Sequence, residues 1–260
     1  MPCCFLGLGG NVGNVAATFS SALDDLGRID EDVHVVCTSS IYRTAAVGES
    51  AGSEFLNAVA EIETELNPLE LLARLQAVET TFGRTHDVHW GPRPLDIDLL
   101  LYGEETVAEP RLVVPHPALW YRRFVLDPLA EIAGNALHPV RRGTIDQLRQ
   151  RMLLRPFRLR VACEDVARRD HLLTELRRRF SDVQFEVASA MLPSGITMSA
   201  MYAALNPLEN ISVRGANRGG DLNSVPITVP DGDDGGVSFL SSVIVSATDQ
   251  PVIVAGPLLT

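Results

Sequence analysis

The chain contains no lysine: all 22 of its Lys+Arg cations are arginines. That absence excludes Schiff-base chemistry on lysine and a Walker-type phosphate lysine. Any phosphate must then be held by arginine, whose planar fork and fixed charge suit the task. Cysteine is scarce as well. Cys3, Cys4, Cys37 and Cys163 include no C-x-x-C pair, and the adjacent Cys3 and Cys4 suit a strand better than a disulfide framework. No apolar stretch approaches the roughly 18 residues of a membrane-spanning helix. The opening MPCCFLGLGG has neither a charged n-region nor a long apolar run and does not read as a signal peptide. A reduced, soluble, cytoplasmic protein is expected, with no membrane partner. Acidic residues number 33, giving a formal net charge of −11. A chain of that sign is a poor match for nucleic acid, although a local basic pocket remains compatible with it.

The 260 residues are 46% hydrophobic and 21% charged, an ordinary globular composition with ample material for a core. Charge is spread unevenly, with a net of −10 over residues 1–150 and −1 over residues 151–260. The shift follows an arginine-rich stretch near Arg155-Pro156, so two domains are expected, 1–155 and 156–260. In the first, Cys3 to Leu8 reads as a strand closed by the Gly9-Gly10-Asn11 turn. Asn14 caps a helix bearing Phe19, Leu23 and Leu26 and ending at Gly27. Val33 to Ser39 is a strand, followed by a loop from Thr44 to Ser53. Phe55 to Glu63 alternates, with Leu56, Ala58, Ala60 and Ile62 opposite Asn57, Val59, Glu61 and Glu63. A helix from Pro68 to about Phe82 and a strand from Leu95 to Leu101 complete a βαββαβ order. An α+β sandwich follows, with an antiparallel sheet and helices on one face. After Gly103 a loop-rich stretch and a shorter helical tail are expected. The second domain reads as a smaller α/β unit. Its strands are Leu159–Cys163, Val183–Val187, Ile211–Val213 and Pro251–Ala255, and its helices Asp165–Phe180 and Val237–Ala247.

The densest chemistry lies in Trp90-Gly91-Pro92-Arg93-Pro94-Leu95-Asp96-Ile97-Asp98-Leu99. On a strand, Leu95, Ile97 and Leu99 face one way and Asp96 and Asp98 the other, about 7 Å apart along the backbone. Two adjacent carboxylates repel without a cation and suit Mg²⁺, which takes one or two protein carboxylates and leaves room for phosphate and water. A bare D-x-D is as often a solvated strand face. Here the rigid W-G-P-R before it and the nearby Arg84, Arg93, Arg111, Arg122 and Arg123 favour a clamp for a polyphosphate. His116, between Pro115 and Pro117, is a candidate donor to a phosphate oxygen. Asn57 offers an amide to a flat heterocycle, and Phe55 and Phe124 are either core or a sandwich for a planar ring.

These segments, with Ser39-Ser40-Ile41-Tyr42-Arg43-Thr44, Gly83-Arg84, Val114-Pro115-His116-Pro117 and Arg122 to Leu129, resemble the 6-hydroxymethyl-7,8-dihydropterin pyrophosphokinase family of folate biosynthesis. The resemblance runs from about Cys3 to about Arg155. It implies a ferredoxin-like sandwich, transfer of the diphosphate of ATP to the dihydropterin hydroxymethyl group, and release of AMP. It also implies two Mg²⁺ on Asp96 and Asp98, and Arg84, Arg93, Arg122 and His116 facing phosphate. Gln76, Glu79, Arg111 and Leu112 match nucleotide-pocket positions. Phe55 and Phe124 match the pair that stacks on the pterin, and Thr44, Val47, Asn57 and Trp90 match its other neighbours. The family usually carries proline after Thr44; this chain has Ala45-Ala46, so the loop there is less pre-organised. The loop from Arg84 to Trp90 is short and carries His86 and His89. A non-catalytic pterin or nucleotide sensor would keep this fold and lose turnover, but the retained Asp96, Asp98, Arg93 and His116 favour an enzyme. The resemblance does not extend to residues 156–260, which are expected to form an accessory α/β domain. Gly215 to Gly220 and Asp231 to Gly236 read as ordinary turns.

Overall fold

The computed structural model describes residues 1–29, 32–46, 54–83, 93–163, 165–187, 224–229 and 236–258. Strand β1 (Cys3–Gly10) alternates as a half-buried strand should. Cys4, Leu6 and Leu8 pack on one face, while Cys3 and Phe5 pack on the other. Helix α1 (Val15–Ile29) begins at Asn14, whose Oδ1 accepts the Ala17 N–H at 3.3 Å. It continues past Gly27, which does not take the left-handed φ that would end it. Strands β2 (Val33–Thr38), β3 (Ile41–Thr44) and β4 (Phe55–Thr64) follow. Helix α2 (Pro68–Thr81) opens on a capping box. The Asn67 side chain accepts from Leu69 and Glu70, and Glu70 Oε2 accepts the Asn67 N–H at 3.0 Å. Strand β5 (Asp96–Tyr102) and the hairpin β6 (Val107–Glu109) and β7 (Leu112–Val114) lead to α3 (Arg123–Ala133) and α4 (Ile145–Leu153). The remaining elements are β8 (Phe157–Ala162), α5 (Val166–Arg179), β9 (Val183–Val187), β10 (Ser224–Thr228), α6 (Gly236–Thr248) and β11 (Val252–Ala255).

The main sheet runs β11-β3-β4-β1-β5, with β2 also paired to β4, and every pairing in it is antiparallel. A second, parallel sheet runs β10-β8-β9. The mixed architecture, an antiparallel sheet with packed helices, matches the expectation from the sequence at that level. Four particulars differ. Strand β3 occupies a stretch the hydrophobic pattern left unassigned, because Ser39-Ser40 interrupts the alternation. Strand β10 was not anticipated at all. The stretch after Gly103 holds β6, β7, α3 and α4. Finally, helices cover both faces of the main sheet, not one. Helices α1 and α2 bury Phe19, Leu23, Leu26, Leu71 and Leu75 against Leu6, Leu8, Ala60 and Ile97. On the opposite face, Phe5, Val59 and Leu101 share a core with Leu126 and Leu129 of α3, Leu148 of α4, and Leu159, Leu176 and Leu240 of later elements. Each such leucine, isoleucine, valine or phenylalanine contributes about 1.5–3 kcal/mol on burial. The expected strand Ile211–Val213 and the turns at 215–220 and 231–235 lie outside the described residues.

The cysteines are all free, and burial pushes Cys3 and Cys4 up to about 12, so neither is a thiolate nucleophile at neutral pH. Among the described residues no helix is long and apolar enough to cross a membrane.

His138, between α3 and α4, is 1% exposed, and its Nδ1 accepts the Arg141 N–H at 3.2 Å. Burial, reinforced by the Arg141 charge, pushes its pKa down to about 3 from an ordinary 6.5. The unfolded chain therefore takes a proton that the folded chain refuses. The stability is complete above about pH 6.5 and is lost as pH falls towards about 3. Urea denaturation across this window should show this residue removing about 1.4 kcal/mol per pH unit. His138→Gln, which cannot titrate, should flatten that slope; an unchanged slope would assign the acid loss to other groups.

Candidate active site

A cavity of about 310 Å³ opens on the sheet face opposite α1 and α2. Three neighbouring strands make its floor. Gly9 of β1 pairs with Asn57 of β4 on one side and Asp96 of β5 on the other; Gly7 pairs with Val59 and Asp98. The middle strand thus carries no side chain where its neighbours carry functional ones. A Cβ built on Gly9 would stand 3.5 Å from Asn57 Oδ1 and 3.9 Å from Asp96 Cβ. What glycine preserves there is open space rather than an unusual backbone. At Gly7 a Cβ would press on the Leu100 side chain at 3.3 Å.

The pleat explains the two aspartates. Ile97 and Leu99 point into the core beneath α1 and α2, which turns Asp96 and Asp98 towards the cavity. A register shift between Phe5 and Leu6 then places Leu100 and Leu101 together on the opposite core. Strand β5 is the outer strand of the sheet, so an N–H turned away from β1 needs another acceptor. For Ile97, between the two aspartates, that acceptor is Glu79 Oε1 at 2.7 Å, from a side chain only 2% exposed.

Arg93 is fixed at backbone and side chain. Its N–H donates to Asn11 Oδ1 at 2.9 Å, and its carbonyl accepts the Asn11 N–H at 3.0 Å. Gly10 permits this approach, since a Cβ there would lie 2.6 Å from the Pro94 carbonyl oxygen. The Arg93 Nη1 then reaches Asp96 Oδ2 at 2.7 Å.

His116 stands beyond β7, after a cis Val114–Pro115 peptide. Its backbone N–H donates to Leu100 O at 2.9 Å, and its Nδ1 accepts the Ala118 N–H at 3.2 Å. An accepting Nδ1 leaves the proton on Nε2, which lies 3.9 Å from Asp98 Oδ2. Burial lowers the His116 pKa, and the Arg122 charge adds to this, against the opposing pull of Asp98. At neutral pH the ring is therefore a neutral Nε2–H donor.

The other wall is aromatic and amide in character. Asn57 is 7% exposed and donates through Nδ2 to Thr44 Oγ1 at 2.8 Å, which fixes the amide plane. Phe55, at the start of β4, and Phe124, in the first turn of α3, both line the cavity. Arg122 holds its guanidinium carbon 5.5 Å from the Phe124 ring centroid. The start of α3 adds the partial positive charge of a helix N-terminus to this wall.

The structure thus brings Thr44, Phe55, Asn57, Arg93, Asp96, Asp98, His116, Arg122 and Phe124 to one cavity. It does not bring Gln76, Glu79, Arg111 or Leu112 to the cavity wall. Gln76 and Arg111 are exposed, Leu112 is buried in the core under α1 and α2, and Glu79 is committed to Ile97. Val47, Arg84 and Trp90 lie outside the described residues, as do positions 47–53 and 84–92, where the sequence leads one to expect loops. Gly7, Gly9, Asn11 and Ala45 were missed by sequence reasoning. The signal for the glycines was available, because Gly7 and Gly9 are two apart on a strand and so share a face.

Two carboxylates, two arginines, a neutral imidazole donor and a pair of aromatics meet in one cavity of a protein that mixes an antiparallel sheet with packed helices. The family model of 7,8-dihydro-6-hydroxymethylpterin-pyrophosphokinase (HPPK) matches residues 5–134, and the chain belongs to this family. It is 37% identical over 157 residues to the 2-amino-4-hydroxy-6-hydroxymethyldihydropteridine pyrophosphokinase of Aquifex aeolicus, covering 60% of this chain and 96% of that protein. To the Bacillus subtilis protein of the same name it is 44% identical over 128 residues, 49% of this chain and 76% of the relative.

Replacing Glu79 tests its place under β5. Glu79→Ala strands the buried Ile97 N–H and should cost about 1–3 kcal/mol in urea denaturation, while Glu79→Gln, which keeps an acceptor, should cost less. Equal losses from the two variants would show that Ile97 does not depend on this oxygen.

Proposed function

We propose that the protein transfers the diphosphate of ATP to the hydroxymethyl group of 6-hydroxymethyl-7,8-dihydropterin, giving the pterin diphosphate and AMP in folate biosynthesis. One observation carries this reading: the acid pair, Arg93, Arg122 and His116 share a single cavity with Phe55, Asn57 and Phe124. Such a reaction needs charge neutralisation and in-line placement more than covalent assistance. The substrate hydroxyl oxygen bonds to the β-phosphorus and releases its proton to water, the bond from that phosphorus to the oxygen shared with the α-phosphate breaks with its electron pair staying on that oxygen, and AMP departs.

The donor set fits Mg²⁺: two hard carboxylate oxygens on one strand face, with His116 beside Asp98 as an Nε2–H donor and not a ligand. Asp96 and Asp98 would hold it, and when bound it would neutralise phosphate charge and orient the triphosphate. Arg93 and Arg122 supply fixed positive charge to the phosphates, with Arg84 as a third candidate. His116 donates its Nε2 proton to a phosphate oxygen. Phe55 and Phe124 stack on the pterin, while Asn57 and Thr44 read its polar edge, with Val47 and Trp90 as further neighbours. Gln76 and Arg111 remain candidates for the nucleotide side. Glu79 acts through the backbone of β5.

The arrangement β5-β1-β4, with β2 and β3 both along the far side of β4, supports a ferredoxin-like reading of the main sheet. We assign the chemistry to residues 1–155 and treat 156–260 as an accessory α/β unit, apart from β11, which joins the main sheet.

The test is AMP release from ATP with and without the dihydropterin. Wild-type protein should release AMP only when both substrates and Mg²⁺ are present, and Asp98→Ala should release none. A near wild-type rate in Asp98→Ala would remove the acid pair from the reaction, and pterin binding without AMP would leave a sensor.

A further inference from the structure

We propose that the C-terminal segment Asp249–Leu258, far beyond the residues that match the family model, positions the substrate wall of the cavity, with Asp249 as its positioning residue. This rests on the pterin reading of that wall.

The segment touches the cavity wall from two sides. At the start of α3, Arg123 is 7% exposed and donates through Nη1 to the Asp249 carbonyl oxygen at 2.8 Å. The same guanidinium is held by Asp127, which also accepts from Arg149 Nε at 2.7 Å. Arg123 is flanked in sequence by Arg122 and Phe124, both on the cavity wall. On the other side, the Asp249 carboxylate accepts the Gln250 N–H at 2.9 Å through Oδ1, while its Oδ2 is buried with no hydrogen-bond partner among the described residues, near the backbone N–H of Ala45, which favours the ionised form. Ala45 lines the cavity and follows Thr44, the acceptor that orients Asn57. Neither Ala45 nor Ala46 has a ring to fix its φ, so restraint of this stretch must come from outside it.

Beyond Asp249, β11 pairs antiparallel with β3, at Val252↔Arg43, Ile253↔Tyr42 and Ala255↔Ile41. The Leu258 N–H then donates to Thr38 Oγ1 at 2.8 Å. Burial is not what this strand supplies, for Val252, Ile253 and Val254 are 52%, 57% and 44% exposed. What it supplies is backbone pairing to a four-residue strand that otherwise holds β4 by three residue pairs and would lie at the sheet edge. Its effect is to order Ile41–Thr44 and thereby the Thr44–Asn57 contact.

Asp249→Ala and Asp249→Asn test this in steady-state kinetics with each substrate varied. Asparagine keeps the size of the side chain and an acceptor for the Gln250 N–H but removes the charge and the second carboxylate oxygen. Each variant should raise KM for the dihydropterin about tenfold, with kcat and KM for ATP within about twofold of wild type. Amide hydrogen exchange should accelerate across residues 41–46 and stay unchanged in β1 and β5. Wild-type protein that makes no AMP overturns the pyrophosphokinase reading itself. An active wild type with an unaltered dihydropterin KM in both variants overturns the positioning role alone. Parallel losses in kcat, both KM values and thermal stability also overturn it, by showing a merely structural contact.

Discussion

The arrangement of the site depends on one strip of empty space in the middle of a sheet. A central strand flanked on both sides would ordinarily raise side chains into the layer above it. At Gly7 and Gly9 it raises none, and the polar residues of β4 and β5 face each other across the gap. The backbone hydrogen bonds of the sheet hold the two walls at a fixed spacing, so the hollow is as rigid as the ladder around it. The acid pair on one wall and the amide and aromatics on the other can then act on two groups of different chemistry at once. The same strand secures the arginine beside the acid pair, through Gly10 and the Asn11 turn.

A chain without lysine places its positive charge on groups that do not lose protons. That suits a clamp whose role is constant charge in a fixed direction, and Arg93 shows the geometric side of the same choice, with a backbone anchored by Asn11 and a fork on Asp96. Histidine completes the set as a neutral donor. The Ala118 N–H settles which nitrogen carries the proton, and burial keeps the ring uncharged beside cationic neighbours. The site thus separates permanent charge, carried by arginine, from directional hydrogen bonding, carried by His116.

Much of this was legible in the residues because it obeys short-range rules. The period of two from Leu95 to Leu99 gave the two faces of β5, and the alternation from Phe55 to Glu63 put Asn57 on the functional face. Long-range features were not legible. Four residues of β3 carry no pattern of their own and are a strand because β4 and β11 pair with them. Glu79, with Gln76, is put at the nucleotide pocket by the family resemblance. It is instead buried, since the outer edge of β5 needs an acceptor that no local rule reveals. The return of β11 to the main sheet, more than 200 positions along the chain from β3, left no local trace in composition or periodicity.

The central claim is that the bare strip on β1 is the floor on which substrate lies. Valine suits a strand, and a Cβ at position 9 meets its nearest atoms at ordinary contact distance, so Gly9→Val projects its two methyl groups into the hollow. Calorimetric titration of 6-hydroxymethyl-7,8-dihydropterin into this variant, in the presence of Mg²⁺ and a non-hydrolysable ATP analogue, is the most direct measurement. The account predicts binding to wild-type protein and no measurable binding to a variant that remains folded by circular dichroism. Wild-type affinity in folded Gly9→Val would contradict it.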